Sequence, residues 1–186
     1  GTNGKGSVAT SIYYLQKLNG KKVHVYRSPH LISINERIIV ANKMISDDLL
    51  YKYLRYVYEI NNYDKITFFE FFTATAFLIF SKYKSDLLVC EVGLGGRYDA
   101  TNVLNSKTKS CIITTIGLDH KDYLGSNLSK IAFEKAGILK SNNTFICSNQ
   151  NKKALNILKQ VACKKNCKSL FYGESWSIKN KSLIIE

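Results

Sequence analysis

Short apolar runs of the length of a buried strand alternate along this chain with longer segments of helical period. Leu87–Val92 and Ser110–Ile116 are runs of the first kind, whereas Ser7–Leu18, Phe69–Tyr83 and Leu128–Ala136 predict helices. Strands that alternate with helices are joined by crossovers, which favours a parallel sheet. The pattern therefore predicts an α/β fold, with a mostly parallel sheet and helices on both of its faces.

Further segments extend this alternation over the whole chain. Additional strands are predicted at Lys22–Tyr26, Thr144–Cys147, Lys168–Phe171 and the last ten residues, and additional helices at Asp47–Ile60 and Lys152–Lys164. Residues 30–46 are predicted to be a long connection with a short extended piece at Arg37–Val40. A length of 186 residues suffices for one core of this type. Because neither an internal repeat nor a low-complexity linker interrupts the pattern, we expect one domain over residues 1–186.

The apolar runs and the cysteines together indicate a cellular compartment. No run is long enough to cross a bilayer, and the polar, glycine-rich start is unlike a signal peptide. Five cysteines without a CxxC pair are typical of buried thiols in a reducing compartment. Cys163 and Cys167 lie one helical turn apart, within reach of a common metal ion, but no histidine accompanies them. We expect a cytoplasmic protein without a membrane partner.

The net charge of +13 favours anionic partners such as nucleotides, polyanionic substrates or nucleic acid. Residues 151–186 hold eight lysines against two glutamates. A lysine-rich surface without any specific partner explains the same excess. A nucleic-acid-binding module is an alternative of another class, and it predicts steeply salt-dependent binding. Because the lysines do not interleave regularly with aromatic residues, we expect no nucleic-acid partner.

The segment Gly1–Ser7 reads GTNGKGS and opens the first predicted helix. Glycines let a backbone close around a phosphate and direct its N–H groups inward. Lys5 would neutralise the β- and γ-phosphates of a nucleotide, and Ser7 would hydrogen-bond a phosphate or a metal ion. A glycine separates Lys5 from Ser7, unlike in the usual phosphate loop. On this segment alone, a nucleotide site and a plain tight turn before a helix both stay open.

Three polar side chains fall where predicted strands end. These are Ser28, Glu91 and His120. In parallel sheets, ligands bind beyond the carboxyl ends of the strands, so we expect these side chains to converge on one crevice. Hydroxyl and carboxylate oxygens and a neutral imidazole are ligands for divalent cations. The plainer alternatives are a structural histidine and a glutamate that caps the glycine loop or pairs with Arg97.

Three further segments offer groups for a substrate site. Lys135 lies just before a helix stop. It would act either as an ammonium group near phosphate or, after reaction with CO₂, as a carbamate that orients a metal ion. A solvated helix lysine is the alternative. Thr67–Thr73 places aromatic rings at a helix start, where they would stack on a flat heterocycle or fill the core. Ser28–Ile38 forms a polar loop that would cover a ligand.

Six ordered blocks carry a resemblance to a known family. They read GTNGKGS, SPHLISINERI, TFFEFFTATAF, EVGLGGRYDATN, GLDHKDYLG and EKAGILK. In this order they resemble the folylpolyglutamate synthase/dihydrofolate synthase family of the Mur ligase superfamily. The likeness covers nearly the whole chain and is strongest from Gly1 to Lys140. It implies the central ATP-binding domain of a Mur ligase, with a P-loop-type, mostly parallel sheet and helices on both faces.

The resemblance implies a role for each matching residue. ATP binding falls on Thr2, Asn3, Gly4, Lys5, Gly6 and Ser7. The Mg²⁺ ligands fall on Ser28, Glu91 and His120. Catalytic roles fall on Lys5, His120 and Lys135, of which Lys135 is the lysine that this family carbamylates to N6-carboxylysine. Pterin-side contacts fall on Thr67, Phe68, Phe69, Glu70, Tyr98, Asp99 and Ala100, although position 98 is often aliphatic in similar sequences.

The implied activity is the ATP-dependent addition of L-glutamate to dihydropteroate or folylpolyglutamate through an acyl phosphate, with two Mg²⁺ ions. A cell-wall Mur ligase that acts on a UDP-linked substrate is the alternative, which the SPHL block disfavours. A simple P-loop kinase is disfavoured because no lid with catalytic arginines is evident. We expect a monomer with small-molecule partners. By resemblance, the strand before the phosphate loop and a glutamate-binding C-terminal domain lie outside residues 1–186, so this piece alone is expected to be inactive.

Overall fold

The computed structural model describes residues 3–104, 110–117, 127–179 and 182–185, with only the backbone of Ser182, and these residues form two compact units. The N-terminal unit comprises Gly6–Gly93, and the C-terminal unit comprises Gly1–Lys5 with Leu94–Glu186. The expectation of a single domain stays a prediction. In the parts of the chain that are described, every helix is too short or too polar to pass through a lipid bilayer.

The N-terminal unit is built on a four-stranded mixed sheet. Its elements are α1 (Lys5–Leu18), β1 (Val23–Tyr26), β2 (Ile38–Val40), β3 (Lys43–Met44), α2 (Asp47–Asn61), α3 (Phe68–Lys82) and β4 (Leu87–Cys90), with a 3-10 helix at Ile34–Arg37. The strand order is β3-β2-β1-β4. Strand β1 pairs in parallel with β4 and antiparallel with β2, so one parallel pair stands at the end of the sheet that carries β4.

Helices cover both faces of this sheet, and β1 is buried on both sides. Val23 and Val25 pack with Ala9 and Tyr13 of α1. Tyr26 points to the other face, where it packs with residues of α2 and α3. Tyr26 is fully buried, and its hydroxyl group shares a 2.8 Å hydrogen bond with the Thr73 hydroxyl of α3.

The C-terminal unit is built on a three-stranded parallel sheet of order β5-β6-β7. Its elements are β5 (Ser110–Ile113), α4 (Leu128–Ala136), β6 (Thr144–Cys147), α5 (Lys152–Lys164), β7 (Lys168–Phe171), β8 (Trp176–Lys179) and β9 (Ser182–Ile185). Strands β8 and β9 form a separate antiparallel hairpin. The core joins Phe145 and Cys147 of β6 to Ile131 of α4 and Leu158 of α5, all of which are fully buried.

The α/β class and the parallel pairing that the sequence predicts are therefore confirmed, whereas several element ends differ. Helix α1 begins at Lys5, two residues before its predicted start. Strand β4 ends at Cys90 and β5 at Ile113, because the chain leaves the pairing register there. The β2–β3 hairpin was not predicted. Its turn residues Ala41 and Asn42 both have positive φ, at 45° and 72°, without any glycine.

The cysteines match the expectation of buried thiols only in part. Cys111 and Cys147 are buried, whereas Cys163 is exposed on α5. Burial raises the pKa of the Cys147 thiol to about 11 and that of the Cys111 thiol above its ordinary value. All five cysteines lie in the described ranges, and none of them forms a disulfide.

Candidate active site

Ser28 and Glu91 meet at the carboxyl ends of β1 and β4. The two strands are in parallel register, with Tyr26 opposite Cys90, so the residues that follow them leave the sheet at the same edge. The Glu91 N–H donates to the Tyr26 carbonyl oxygen at 2.8 Å, and the Ser28 N–H lies 3.4 Å from Glu91 Oε2. Glu91 is buried. The structure thus brings together two of the three strand-end residues; His120 lies outside the described residues.

The Glu91 carboxylate also faces the first turn of α1. A Cβ atom built on Gly6 would lie 3.6 Å from Glu91 Oε2 and 3.7 Å from Oε1. The first N–H groups of a helix have no partner within the helix, and its N-terminal end carries a partial positive charge. A carboxylate and the start of a helix therefore lie side by side at Gly6.

The glycine-rich segment turns sharply into α1. Gly4 has a φ of +76°, a left-handed conformation that glycine adopts without steric penalty. Asn3, Gly4, Lys5 and Gly6 are half-buried and Ser7 is exposed. Thr2, the remaining residue expected to contact a nucleotide, lies outside the described residues. A glycine turn that leads directly into a helix start suits an anion such as phosphate.

The loop that follows β1 is wound around Glu36. The Glu36 carboxylate accepts hydrogen bonds from the N–H groups of Leu31, Ile32 and Ser33 at 2.8 to 3.0 Å. These three bonds lower the pKa of Glu36 from 4.5 to about 2, because they stabilise the ionised carboxylate. Leu31 and Ile32 are almost fully exposed, at 90% and 94%. The loop therefore presents two apolar side chains to solvent on a backbone that is held in place.

Four predicted substrate contacts lie at the start of α3, and two of them cap the helix. Thr67 and Glu70 form a reciprocal capping box, in which the Glu70 N–H donates to Thr67 Oγ1 at 3.2 Å and the Thr67 N–H donates to Glu70 Oε2 at 2.7 Å. The Phe68 ring is 57% exposed. Phe69 lies against Gly93, where an added Cβ would come within 2.4 Å of the ring.

The other three predicted substrate contacts lie in the loop Leu94–Val103 of the C-terminal unit. Asp99 folds this loop: Oδ2 accepts from the Leu94 N–H at 2.8 Å, and Oδ1 accepts from the Thr101 N–H at 3.0 Å. Asp99 is buried, whereas Tyr98 is 80% exposed. Ala100 begins a 3-10 helix at Ala100–Val103.

Lys135 lies in the last turn of α4, directly beneath the same loop. A Cβ added to Gly96 would lie 2.8 Å from the Glu134 carbonyl oxygen and 3.0 Å from Lys135 Cα. The Arg97 N–H donates to the Glu134 carbonyl oxygen at 2.8 Å. The structure therefore brings Lys135 and the loop that contains Tyr98, Asp99 and Ala100 into contact within one unit.

Sequence reasoning missed the glycines that make these contacts possible. Gly93 admits the Phe69 ring, Gly96 admits the end of α4, and Gly137 faces Arg97, whose Cβ would lie 2.4 Å from a Cβ at position 137. The density of glycines in EVGLGGRYDATN was visible in the sequence, but their partners were not, because they lie up to 40 residues away.

Oxygen donors dominate the ligands that the N-terminal unit offers to a metal ion. The Glu91 carboxylate and the Ser28 hydroxyl are hard ligands of the kind that Mg²⁺ prefers, and Mg²⁺ on a nucleotide needs only one or two protein oxygens. Across the described ranges, no three or more His, Cys, Asp or Glu side chains come together as a metal cluster. The donor set suits a nucleotide-bound Mg²⁺ better than a metal held by protein alone.

Comparison with known proteins identifies the family. The family model of the Mur ligase middle domain matches residues 1–184. The chain belongs to the Mur ligase middle domain family. The dihydrofolate synthase/folylpolyglutamate synthase of Haemophilus influenzae is 36% identical to it over 193 residues, which cover 100% of this chain and 44% of that protein. This Mur ligase middle domain therefore spans less than half the length of that relative.

Solved structures of similar proteins match the fold closely. The E. coli FolC structure in complex with DHPP and ADP has a TM-score of 0.88 and 30% identity, over 97% of this chain and 43% of that one. The folylpolyglutamate synthase/dihydrofolate synthase of Yersinia pestis, complexed with AMPPNP and a Mn ion, has a TM-score of 0.87 and 28% identity, over 97% and 43%. The resemblance to the folate branch of the Mur ligases that the six sequence blocks indicate is confirmed.

Proposed function

We propose that this Mur ligase middle domain is part of an ATP-dependent ligase that adds L-glutamate to dihydropteroate, to folylpolyglutamate, or to both. The observation that carries the proposal is the buried Glu91 carboxylate beside Gly6 of the glycine-rich helix start, with Ser28 at the same sheet edge. This arrangement pairs a phosphate-binding backbone with an oxygen ligand for the cation that accompanies a nucleotide.

The relatives favour the folate branch over a cell-wall ligase. The H. influenzae relative is a dihydrofolate synthase/folylpolyglutamate synthase, and the E. coli structure holds DHPP with ADP. The Y. pestis structure holds a nucleotide analogue with a divalent ion. Since the blocks SPHL and EVGLGGRYDATN are of the same branch, a pteroate-type substrate is proposed here rather than a UDP-linked one.

The chain's own residues act mainly on charge and position. Asn3 to Ser7, together with Thr2, bind the phosphates of ATP, with the Lys5 ammonium directed to the β- and γ-phosphates. Ser28, Glu91 and His120 would hold Mg²⁺, and two such ions would neutralise phosphate oxygens when bound. Thr67–Glu70 in the N-terminal unit and Tyr98–Ala100 in the C-terminal unit are the residues that we assign to contact with the pteroate substrate. In each set one exposed ring, Phe68 or Tyr98, provides a flat surface for a heterocycle.

Two balanced steps follow from this arrangement. A carboxylate oxygen of the substrate attacks the γ-phosphorus of ATP, which forms the acyl phosphate and breaks the bond to ADP. The glutamate amine then attacks the acyl carbon, loses a proton and expels inorganic phosphate, so that an amide remains. The phosphate that leaves therefore keeps one oxygen of the original carboxylate.

Lys135 is proposed as the site of N6-carboxylysine. It lies in the last turn of α4, in contact with the loop Leu94–Val103 through Gly96. A carbamate there would replace a positive group by a negative one that can bind a cation. A carbamate signal in ¹³C NMR after exposure to labelled bicarbonate, present in the wild-type protein and absent in Lys135→Arg, would support this assignment; identical spectra would refute it.

The proposal includes the setting in which the enzyme works. We assign it small-molecule substrates only, a monomeric state and the cytoplasm, where the absence of disulfides among its five cysteines is the norm. Sedimentation gives the molecular mass in the presence and absence of nucleic acid, which tests the monomeric state and the lack of a nucleic-acid partner. A stable dimer, or a mass shift with RNA that persists at physiological salt, would contradict them.

A substrate panel tests the function itself. The complete enzyme is incubated with ATP, Mg²⁺ and glutamate, and with dihydropteroate, tetrahydrofolate or a UDP-linked cell-wall precursor as acceptor. We expect ADP release that depends on one or both pterin acceptors. With acceptor labelled by ¹⁸O in the carboxylate, label should appear in inorganic phosphate. Turnover with the UDP-linked acceptor alone, or phosphate without label, would contradict the proposal.

A further inference from the structure

The loop Leu94–Val103 packs so closely on the end of α4 that no side chain fits between them at two glycines. No side chain fits at Gly96, because a Cβ there would meet the backbone of Glu134 and Lys135 within 2.8 to 3.0 Å. No side chain fits at Gly137 either, because a Cβ there would meet Arg97 at 2.4 Å. The loop backbone therefore packs directly against the backbone of the helix end.

One side-chain amide adds to the direct hydrogen bond between the Arg97 N–H and the Glu134 carbonyl oxygen. Asn102 Nδ2 donates to the Arg97 carbonyl oxygen at 2.9 Å and lies 3.3 Å from the Gly137 carbonyl oxygen. Arg97 belongs to the loop, whereas Gly137 follows directly after α4. A single half-buried side chain therefore connects the loop to the end of the helix that contains Lys135.

Lys140 fixes the orientation of that amide. Its Nζ atom donates to Asn102 Oδ1 at 2.7 Å and to the Asn102 carbonyl oxygen at 3.0 Å. Because an ammonium group donates but does not accept, the oxygen of the amide must face Lys140. The Nδ2 atom must then face the two carbonyl oxygens, so the lysine determines which way the asparagine points.

We infer that Asn102 and Lys140 are positioning residues for the ligation. They hold the loop with Tyr98, Asp99 and Ala100 at a fixed place on the helix end with Lys135, although neither touches the reacting atoms. The inference rests on the proposed function, because that function assigns Lys135 and the loop to the same site. A small displacement between the two parts lowers the rate, because near-attack geometry is required for the reaction.

Variants of the complete enzyme test this role. Asn102→Ala and Lys140→Met should each lower kcat/KM for the pteroate acceptor by about ten- to a hundred-fold. The KM for ATP should stay unchanged, because the glycine-rich segment is not part of this network. Asn102→Asp keeps the oxygen toward Lys140 but lacks the N–H donors, so it should be as impaired as Asn102→Ala. Lys140→Arg keeps donors and should recover most of the activity.

Asn151→Ala is the matched control. Asn151 caps α5, where its side chain accepts from the Lys153 N–H, and α5 contains no proposed site residue. This variant should lower the melting temperature without changing either kinetic constant. The double variant Asn102→Ala/Lys140→Met should be no worse than the more impaired single variant, because both changes break the same network.

A second readout separates the inference from the proposed function. Hydrogen exchange of the Arg97 amide, which is bonded to the Glu134 carbonyl oxygen, should be slow in the wild type and faster in Asn102→Ala. Unchanged exchange would overturn the positioning role, as would kinetic losses that Asn151→Ala reproduces or that extend equally to the KM for ATP. A wild-type enzyme that shows no ligation would instead overturn the proposed function, and with it the catalytic purpose of the contact.

Discussion

At the scale of single residues, two glycines that both lie in glycine-rich segments have different structural roles. A Cβ at Gly6 would stand 3.6 Å from the Glu91 carboxylate, an ordinary contact distance, whereas a Cβ at Gly93 would overlap the Phe69 ring at 2.4 Å. The first glycine therefore leaves space beside the Glu91 carboxylate, for which we propose a role in metal binding. The second is required for packing of the α3 start.

The two positions predict opposite outcomes on substitution. Gly93→Ala should lower the free energy of unfolding by about 1–3 kcal/mol, the usual range for overpacking. Gly6→Ala should leave the unfolding free energy nearly unchanged but weaken ATP binding about ten-fold, or about 1.4 kcal/mol, because the methyl group intrudes between the helix start and Glu91. Urea unfolding and calorimetric titration with ATP measure the two quantities. Equal effects of both variants on stability would contradict this distinction.

The strand-end residues illustrate what the sequence determines at this scale. Ser28 and Glu91 lie at the ends of predicted strands, and parallel pairing was enough to expect them side by side. The roles of Thr67, Glu70 and Asp99 in local structure were missed, although T-x-x-E before an apolar run is a capping-box pattern. The close contacts at Gly96 and Gly137 depend on backbones that are far apart in sequence, and no local pattern encodes such a distance.

At the scale of elements, the start of α3 depends on reciprocal hydrogen bonds between Thr67 and Glu70. The Thr67 hydroxyl and the Thr67 N–H both donate to the Glu70 carboxylate and lower its pKa, and the hydroxyl has the larger effect. Thr67→Ala should reduce stability by about 1 kcal/mol, as is usual for the loss of an N-cap side chain, and Thr67→Ser should retain it. Thermal unfolding of both variants measures the difference. An equal loss in Thr67→Ser would show that the hydroxyl group is not what stabilises the helix.

The loop after β1 predicts a response to acid. The folded pKa of Glu36 is about 2, below its ordinary value of 4.5, so the order that its carboxylate gives the loop is complete above about pH 4.5. This order should be lost as the pH falls through about 2. Glu36→Gln should loosen the loop even at neutral pH. Amide exchange at Leu31, Ile32 and Ser33 detects the change. Exchange rates that are the same in Glu36→Gln and in the wild type, at both pH 3 and pH 7, would contradict the assignment.

The β2–β3 hairpin shows why some elements could not be predicted. Its turn residues have no glycine or Asn-Gly signature, yet both adopt positive φ. The Asn42 side chain stabilises this conformation, because Oδ1 accepts from the Val23 N–H at 3.1 Å and Nδ2 donates to the Lys21 carbonyl oxygen at 2.8 Å. A tertiary contact thus replaces the local turn signal on which a sequence-based prediction depends.

At the scale of the whole molecule, this Mur ligase middle domain contains two compact units, each with parallel strands and helices of its own. The N-terminal unit contains Ser28 and Glu91 beside the start of α1, and the C-terminal unit contains Lys135 beside the loop Leu94–Val103. The chain spans 44% of the length of its H. influenzae relative. We therefore predict that the 186-residue chain binds nucleotide but does not form product by itself.

That prediction has a direct measurement. The purified 186-residue chain should bind ATP in the presence of Mg²⁺, as followed by calorimetry, and release no folate–glutamate product in the assay used for the complete enzyme. Gly6→Ala in the same chain serves as the control for specific nucleotide binding. Glutamate addition by the 186-residue chain alone would contradict this prediction.

The central claim is that Glu91 serves an ATP-dependent glutamate ligation, and one comparison tests it most directly. Glutamate incorporation into dihydropteroate and tetrahydrofolate is measured for the complete wild-type enzyme and for Glu91→Gln, with melting temperatures recorded for both. We predict ATP-dependent product in the wild type and a loss of about a hundred- to a thousand-fold in Glu91→Gln without a change in melting temperature. Near-normal incorporation by Glu91→Gln, or no ATP-dependent incorporation by the wild type, would contradict the claim.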